Sequence, residues 1–209
     1  MHAANCTPEN LCRAMGLGPF EPAPGDGELD ALRVLLMPSF HPEMCLTFRH
    51  DAMQARLEVV AARSQIWRQQ GIAPFPAPVD AAGGHVEATT LEELVRAWHV
   101  AIQPQPRDSV VICDGVHAHA VLRTREGVAR LDAVLGERPA FDHLVRAALA
   151  AAWEIVAEPR VRNAIADLSG RDLPRSEVPP DKPLFTTMVL ASDSEAALLL
   201  AALKRHHEQ

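Results

Sequence analysis

Residues 108–135 constrain the fold most, because three short apolar runs are separated there by two turn sequences. The stretch reads DSVVICDGVHAHAVLRTREGVARLDAVL, with a turn at Asp114-Gly115 and a four-residue loop from Thr124 to Gly127. Short apolar runs joined by such turns are typical of consecutive β-hairpins. We therefore expect the centre of an antiparallel sheet in this part of the chain.

The second of these loops also predicts a strand register. With Arg123 opposite Val128 at the loop, counting back along both strands places His119 opposite Asp132. Because side chains alternate between the two faces of a sheet, His117, His119 and Asp132 should share one face. The other, apolar face should carry Ala118, Ala120, Leu122, Ala129, Leu131 and Ala133.

Two longer segments have the spacing of amphipathic helices. A capping box at Thr90 to Glu93 opens the first, which Pro104 ends, and residues 141–156 form the second. Their apolar sides should pack on the sheet. We expect five large side chains on them to be buried: Leu94, Trp98, Leu144, Leu149 and Trp153.

Other segments predict shorter elements. We expect a helix at residues 8–15, a hairpin of residues 45–50 with residues 55–61, and a loop at residues 71–84, which are rich in glycine and proline. Residues 29–37 fit either a helix or a buried strand, because a continuous apolar run has no decisive periodicity.

These elements predict an α+β fold, with a central, mostly antiparallel sheet of hairpins packed against amphipathic helices. Residues 1–27 should form a short helix and a proline-rich linker, and residues 28–170 the main α+β domain. Residues 171–209 should supply a proline-rich connection, a last strand near residues 185–190 and a C-terminal helix that packs on the main domain.

The composition narrows the class of partner and the compartment. A net charge of −7 argues against nucleic acid, and it favours a partner protein with a basic surface. Four cysteines at uneven spacing predict free thiols in a reducing compartment. The longest apolar run, residues 196–203, is shorter than the ~20 residues that cross a bilayer. We therefore expect a cytoplasmic protein with no membrane partner.

Three sequence pieces, SFHPEMCLTFRHD, LEELVRAW and DGVHAHAVLRTREGVARLD, precede a long helix rich in alanine and leucine. Together they resemble a group of small uncharacterised bacterial α+β proteins with an SFHP-type strand, a Trp helix and a DG-turn hairpin. That group usually has a Trp and a Tyr-His pair in the hairpin, where this chain has Val116-His117 and Ala118-His119. The resemblance covers residues 32–156 and implies the fold without a chemistry.

A thiol-dependent hydrolase is one functional alternative. Papain-like enzymes place the general-base His on one strand and its orienting Asp or Asn on the next, as His119 and Asp132 would be. Cys6, just before the helix that Thr7 caps, is the candidate nucleophile, and Cys12 lies within that helix. The more common role of such a His/Asp pair is structural.

A metal site is the other alternative. His117 and His119 point the same way, and His41 with Cys45 has a spacing that could add two ligands for zinc. Ten histidines make such pairs common by chance, so we predict no cofactor. Trp67, Trp98 and Trp153 could line a ligand pocket, but the last two lie on apolar helix sides.

With no local enzyme motif in the sequence, we expect a non-catalytic protein-binding module. An immunity or antitoxin-like inhibitor, or an accessory subunit of a neighbouring enzyme, fits an acidic α+β chain of 209 residues.

Overall fold

The structure is a computed structural model, and it describes residues 7–23, 28–51, 54–66, 76–104, 115–170 and 172–178. In these ranges no helix is long and apolar enough to cross a membrane. The chain divides into two compact units, Met1–Ser176 and Glu177–Gln209. The helices within the described residues are α1 (Pro8–Ala14), α2 (Ala88–Ala101), α3 (Pro139–Ile155) and α4 (Pro159–Ser169). The strands there are β1 (Glu28–Pro38), β2 (Met44–Asp51), β3 (Ala55–Ala62), β4 (Val79–Val86), β5 (Val116–Thr124) and β6 (Gly127–Val134).

The six strands form one open sheet in the order β4-β3-β2-β1-β5-β6, and every neighbouring pair is antiparallel. The predicted α+β class with a central antiparallel sheet is confirmed. Strand β5 lies between β1 and β6, so the hairpin predicted across Asp114-Gly115 does not form with β5. Residues 105–114 themselves lie outside the described ranges.

Strand β1 settles the choice between helix and strand at residues 29–37. Its neighbours are β2 on one side and β5 on the other, and both of its faces are covered. Leu32 and Leu36 face one apolar cluster, whereas Leu35 between them faces a second. A central strand that is buried on both faces carries apolar residues on both of them, so its sequence shows no regular alternation, which is why periodicity left the question open.

Helices α2, α3 and α4 cover one face of the sheet, and the main apolar core lies between them. Burial of Leu94, Trp98, Leu144 and Leu149 is confirmed. Trp153 is only partly buried, and the Arg162 guanidinium lies 4.0 Å from its ring centroid. The prediction that Trp153 is buried is therefore wrong. Its ring contacts the Arg162 guanidinium of α4, whereas it was expected to pack against the sheet.

Two helix boundaries test the capping signals. Helix α1 begins as predicted, with the Asn10 amide donating to Thr7 Oγ1 over 3.3 Å and Pro8 in the first turn. Helix α2 has its N-cap at Glu87, ahead of the predicted capping box at Thr90. That boundary prediction is wrong, because the helix extends into the preceding residues up to the end of β4.

Strand β4 lies in a region predicted to be a loop, so the prediction for residues 79–84 is wrong. Gly83 opposes Glu58 and Gly84 opposes Leu57 in a regular ladder with β3. A side chain at Gly83 would collide with the Leu57 carbonyl oxygen. Glycine is therefore needed here because the two strands approach closely. A sequence rich in glycine is also typical of turns, so composition alone does not separate the two cases.

Helix α4 ends at Gly170, which adopts the left-handed conformation with φ 64°. Residues 172–176 then return along α4, where the Asn163 side chain bonds the Ser176 backbone in both directions. The last strand predicted near residues 185–190 and the C-terminal helix predicted after it lie outside the described residues.

Candidate functional site

The sheet face opposite α2, α3 and α4 carries most of the polar side chains of the strands, and we call it the polar face. Helix α1 and residues 15–23, the N-terminal strap, lie on part of it and bury a second apolar cluster there. The side chains that alternation places on this face include Arg33, Thr47, Arg49, Arg56, Glu58, His85, His117, His119, Arg123, Arg130 and Asp132.

The predicted register of β5 and β6 is confirmed, with His119 opposite Asp132. His119 is partly buried, because the Phe20 ring of the strap meets its imidazole edge to face at a centroid distance of 6.4 Å. Burial lowers the pKa of His119, Asp132 opposes that shift and nearby His117 adds to it. The strand register by itself predicts a rise in the His119 pKa, because the Asp132 carboxylate favours the imidazolium form. That prediction is wrong, because the strap removes water from the imidazole and the effect of burial is larger.

Four arginines of the polar face hold the strap and α1. Arg33 donates to the carbonyls of Pro19 and Phe20 in the strap. Three arginines complete the attachment: Arg123 donates to the Pro22 carbonyl, Arg49 to the Ala23 carbonyl, and Arg130 pairs with Glu9 and Glu21. The strap, which covers His119, is therefore bound by arginines of β1 and of the strands on both sides of β1.

The hydrolase alternative required a thiol beside His119. Cys6 lies outside the described residues. Cys12, on α1, is fully buried in the same apolar cluster as Cys45 of β2. Hydrogen bonding by Cys45 lowers the pKa of Cys12 against the opposing effect of burial, and Arg33 lowers it further. Burial raises the pKa of Cys45 well above its ordinary value.

The residues considered for zinc are distributed over the polar face and a loop. Cys45 and His119 both oppose Leu35 of β1, so a strand separates them. His41, in the β1–β2 connection, has its Nδ1 atom 3.9 Å from the Asp167 carboxylate. No group of three or more potential metal ligands occurs among the residues that the structure describes.

The half of the polar face beyond the strap forms an open groove of about 430 Å³ between β2, β3 and β4. Arg49 directly opposes Arg56, and Arg56 directly opposes His85, so three basic residues lie in a row on adjacent strands. Sequence reasoning missed this row because β4 was not predicted as a strand. The residues that line the groove are Thr47, Arg49, Arg56, Leu57, Glu58, Ala81, Ala82 and Gly83.

The tryptophans do not meet in one pocket within the described residues. Trp98 is in the main core, and Trp67 lies outside the described ranges. Trp153 lines a separate small cavity of about 100 Å³ beside Arg146 and Leu173.

No protein-family model, curated protein sequence or solved structure matches this chain. The polar face and its groove are thus the basis for a functional proposal.

Proposed function

We propose that this chain is a non-catalytic protein-binding module that takes an extended, acidic segment of a partner protein along β4 and across the adjoining groove. The observation that carries the proposal is the position of the outer edge of β4 next to a row of cations. We favour two classes of protein for this module: an inhibitor of the immunity or antitoxin type, or an accessory subunit of a neighbouring enzyme.

The outer edge of β4 can accept another strand. In the part of the chain that the structure describes, β4 is the last strand of the sheet on its side. Proteins usually protect such edges with charged residues, prolines or bulges. The middle of β4 is Ala81-Ala82-Gly83-Gly84, and its ladder with β3 has no bulge. An extended peptide added to this edge would gain main-chain hydrogen bonds.

The row of cations gives the groove a preference for carboxylates. Like charges directly opposite one another on neighbouring strands repel, and Arg49 and Arg56 are arranged in this way. Arg56 and His85 are exposed. A carboxylate placed above Arg49 and Arg56 would replace their repulsion with attraction, and the guanidinium group suits two-point contact with a carboxylate.

The net charge and the local charge act over different distances. The net charge of −7 favours approach of a basic partner surface. At physiological ionic strength, charges are screened over about 8 Å. Binding in the groove therefore depends on the arginines that line it, rather than on the net charge. These arginines favour an acidic segment of the partner protein.

The burial of the described thiols does not favour the hydrolase alternative. A nucleophile must reach its substrate, whereas Cys12 and Cys45 are 0% and 1% exposed. His119 lies beneath Phe20, away from the groove.

Binding of a labelled peptide of alternating Glu and Val tests the proposal, with a length of about eight residues, typical of a strand. We expect saturable binding that weakens with salt. Exposed ion pairs contribute up to ~1 kcal/mol each, so Arg56→Glu should raise Kd by about fivefold to tenfold. Arg125→Glu, a charge reversal at an exposed turn residue outside the groove, is the matched control and should leave Kd unchanged.

Hydrogen exchange distinguishes the edge of β4 from other surfaces. Peptide binding should slow exchange of β4 amides and leave those of β6 unaffected. Equal binding of a Lys-Val peptide, tighter binding of a single-stranded oligonucleotide, or full protection of β4 amides in the free protein would each contradict the proposal.

A further inference from the structure

The sheet has a second outer edge at β6, which is the last strand on its side in the part of the chain that the structure describes. The Leu135 amide donates to the Val116 carbonyl over 2.9 Å, in register with the ladder between β5 and β6. Main-chain groups of successive residues point alternately to the two sides of an antiparallel strand. The odd-numbered residues of β6 therefore bond β5, and the N–H and C=O groups of its even-numbered residues point outward.

The outward main-chain groups of β6 can accept another strand over most of its length. Among the described residues, none bonds the outward groups of Val128, Arg130 or Asp132, whose side chains are exposed. The Val134 amide, by contrast, donates to Glu137 Oε2 over 3.3 Å, so the unpaired part of the edge ends there. Proteins usually protect such an edge with charges, bulges or a covering segment. In β6 the protecting charges are one cation and one anion, which a suitable partner strand can neutralise.

The side chains of β6 are complementary to themselves in one antiparallel register. If β6 pairs with the β6 of a second copy about a two-fold axis at Leu131, each Arg130 lies opposite an Asp132. The outward main-chain groups of these two residues then face each other, so each pair can exchange two hydrogen bonds. Val128, which is 43% exposed in the single chain, becomes covered. The apolar partners in this register are Val128 with Val134, Ala129 with Ala133, and Leu131 with Leu131 of the second copy.

The neighbouring registers that keep outward groups face to face are less favourable. A two-fold axis at Arg130 places two guanidinium groups opposite each other, and an axis at Asp132 does the same with two carboxylates. Like charges directly opposite one another destabilise strand pairing, whereas opposite charges stabilise it. The charge pattern therefore selects the axis at Leu131.

The ion pairs that Arg130 already makes leave it able to bind a further carboxylate. Glu9 and Glu21 of α1 and the strap each accept one bond from its terminal nitrogens. A guanidinium has further N–H donors beyond these two. Both ion pairs are exposed, and exposed pairs contribute little, so they do not cancel the attraction of Arg130 for Asp132 of a second copy.

We infer that β6 is a dimerisation edge, and that its partner is the β6 of a second copy of this chain, paired antiparallel about Leu131. A contact of this kind uses the same residues on both copies and closes the assembly at two. Pairing of two short strands buries less area than a standard interface, so the dimer should dissociate on dilution. The inference does not depend on the proposed binding function, which uses β4 at the opposite end of the sheet.

Sedimentation velocity of the full-length protein over a wide range of concentrations measures the equilibrium between monomer and dimer. We expect a reversible dimer whose Kd rises with salt. Asp132→Arg replaces both Arg–Asp pairs of the interface with Arg–Arg pairs, so it should raise this Kd by about tenfold or more. Glu126→Arg, the matched control, makes the same charge reversal at an exposed turn residue outside the paired segment and should leave the Kd unchanged.

A mixture of two charge variants tests the register. Arg130→Asp and Asp132→Arg should each dimerise weakly alone, because each new charge faces a like charge. In the mixture, each new carboxylate faces a new guanidinium, and each remaining Arg130 faces a remaining Asp132. The mixed dimer should therefore form with a Kd close to that of the wild type. Circular dichroism checks that both variants fold, because Arg130 also binds α1 and the strap.

Hydrogen exchange followed by NMR locates the contact within β6. The amides of Arg130 and Asp132 point outward, whereas those of Ala129 and Leu131 bond β5. Protection of the outward pair should grow with protein concentration. The other pair should be protected at every concentration.

Three results would overturn the inference. The first is a protein that stays monomeric up to its solubility limit. The second is protection of the outward amides that does not change with concentration, which would mean that another segment of the same chain covers β6. The third is a dimer that Asp132→Arg does not weaken. If Arg130→Asp does not fold, exchange in the wild type and the Kd of Asp132→Arg still decide the question, and peptide binding at β4 is measured separately.

Discussion

Gly83 and Gly84 are adjacent in β4 but face different obstacles, so alanine at each position gives a matched pair of perturbations. A Cβ atom at Gly83 would meet the Leu57 backbone carbonyl at less than any normal contact distance. A Cβ atom at Gly84 would lie 2.6 Å from the Ile155 Cγ2 methyl group, at the C-terminal residue of α3.

The change in the free energy of unfolding depends on which neighbouring atoms can move away from the added methyl group. Crowding against backbone must separate β3 from β4, and overpacking of this kind costs about 1–3 kcal/mol. The loss of glycine freedom in the unfolded chain offsets about 0.4–1 kcal/mol. Gly83→Ala should therefore lower the free energy of unfolding by up to about 2.6 kcal/mol, with the middle of the range near ~1.3 kcal/mol. Gly84→Ala displaces one side chain, at about 0.5–1.5 kcal/mol, and should fall within ~1 kcal/mol of the wild type.

Urea denaturation followed by circular dichroism measures the free energy of unfolding of both variants. The slope of this free energy against urea concentration should be the same in both variants and the wild type. Two results would contradict this prediction: a larger destabilisation by Gly84→Ala than by Gly83→Ala, or a higher unfolding midpoint in Gly83→Ala. Either result would mean that β4 does not approach β3 as closely as the structure has it.

Two further predictions concern burial. Trp98→Ala should cost about 3–5 kcal/mol as a large-to-small change in the core, whereas Trp153→Ala should cost less in the same denaturation assay, because Trp153 is partly exposed. Burial lowers the pKa of His119, so the unfolded chain binds its proton more readily. The stabilisation is complete above the ordinary value of 6.5 and is lost as the pH falls toward the folded-state pKa. His119→Gln should flatten this part of a plot of stability against pH, and an unchanged slope would contradict the assignment.

The parts of the fold that could be predicted depend on local patterns. Loop length alone placed His119 opposite Asp132, because a hairpin register is determined by its turn. The apolar spacing of α2 and α3 correctly predicted burial of Leu94 and Leu144, because an amphipathic helix must cover apolar surface.

The rest depends on contacts between distant residues. Phe20 of the strap shields His119, and no local pattern in either segment indicates that they meet. The groove was missed because β4 is rich in alanine and glycine, which have low intrinsic strand propensity, and it forms a strand by pairing with β3. The burial of Cys12 and Cys45 in one apolar cluster likewise requires the position of α1 over the sheet.

The order of the strands also has a consequence for how the chain folds. Strands β1 to β4 follow one another as neighbours, and β5 and β6 form a hairpin, so each half can assemble from local contacts. Within the described sheet, the halves pair where β1 meets β5, and the partners Leu32 and Leu122 are about 90 residues apart in the chain. Closing so long a loop is slow, and until it closes, β1 offers an unpaired apolar edge. Intermolecular pairing at that edge should compete with refolding at high protein concentration.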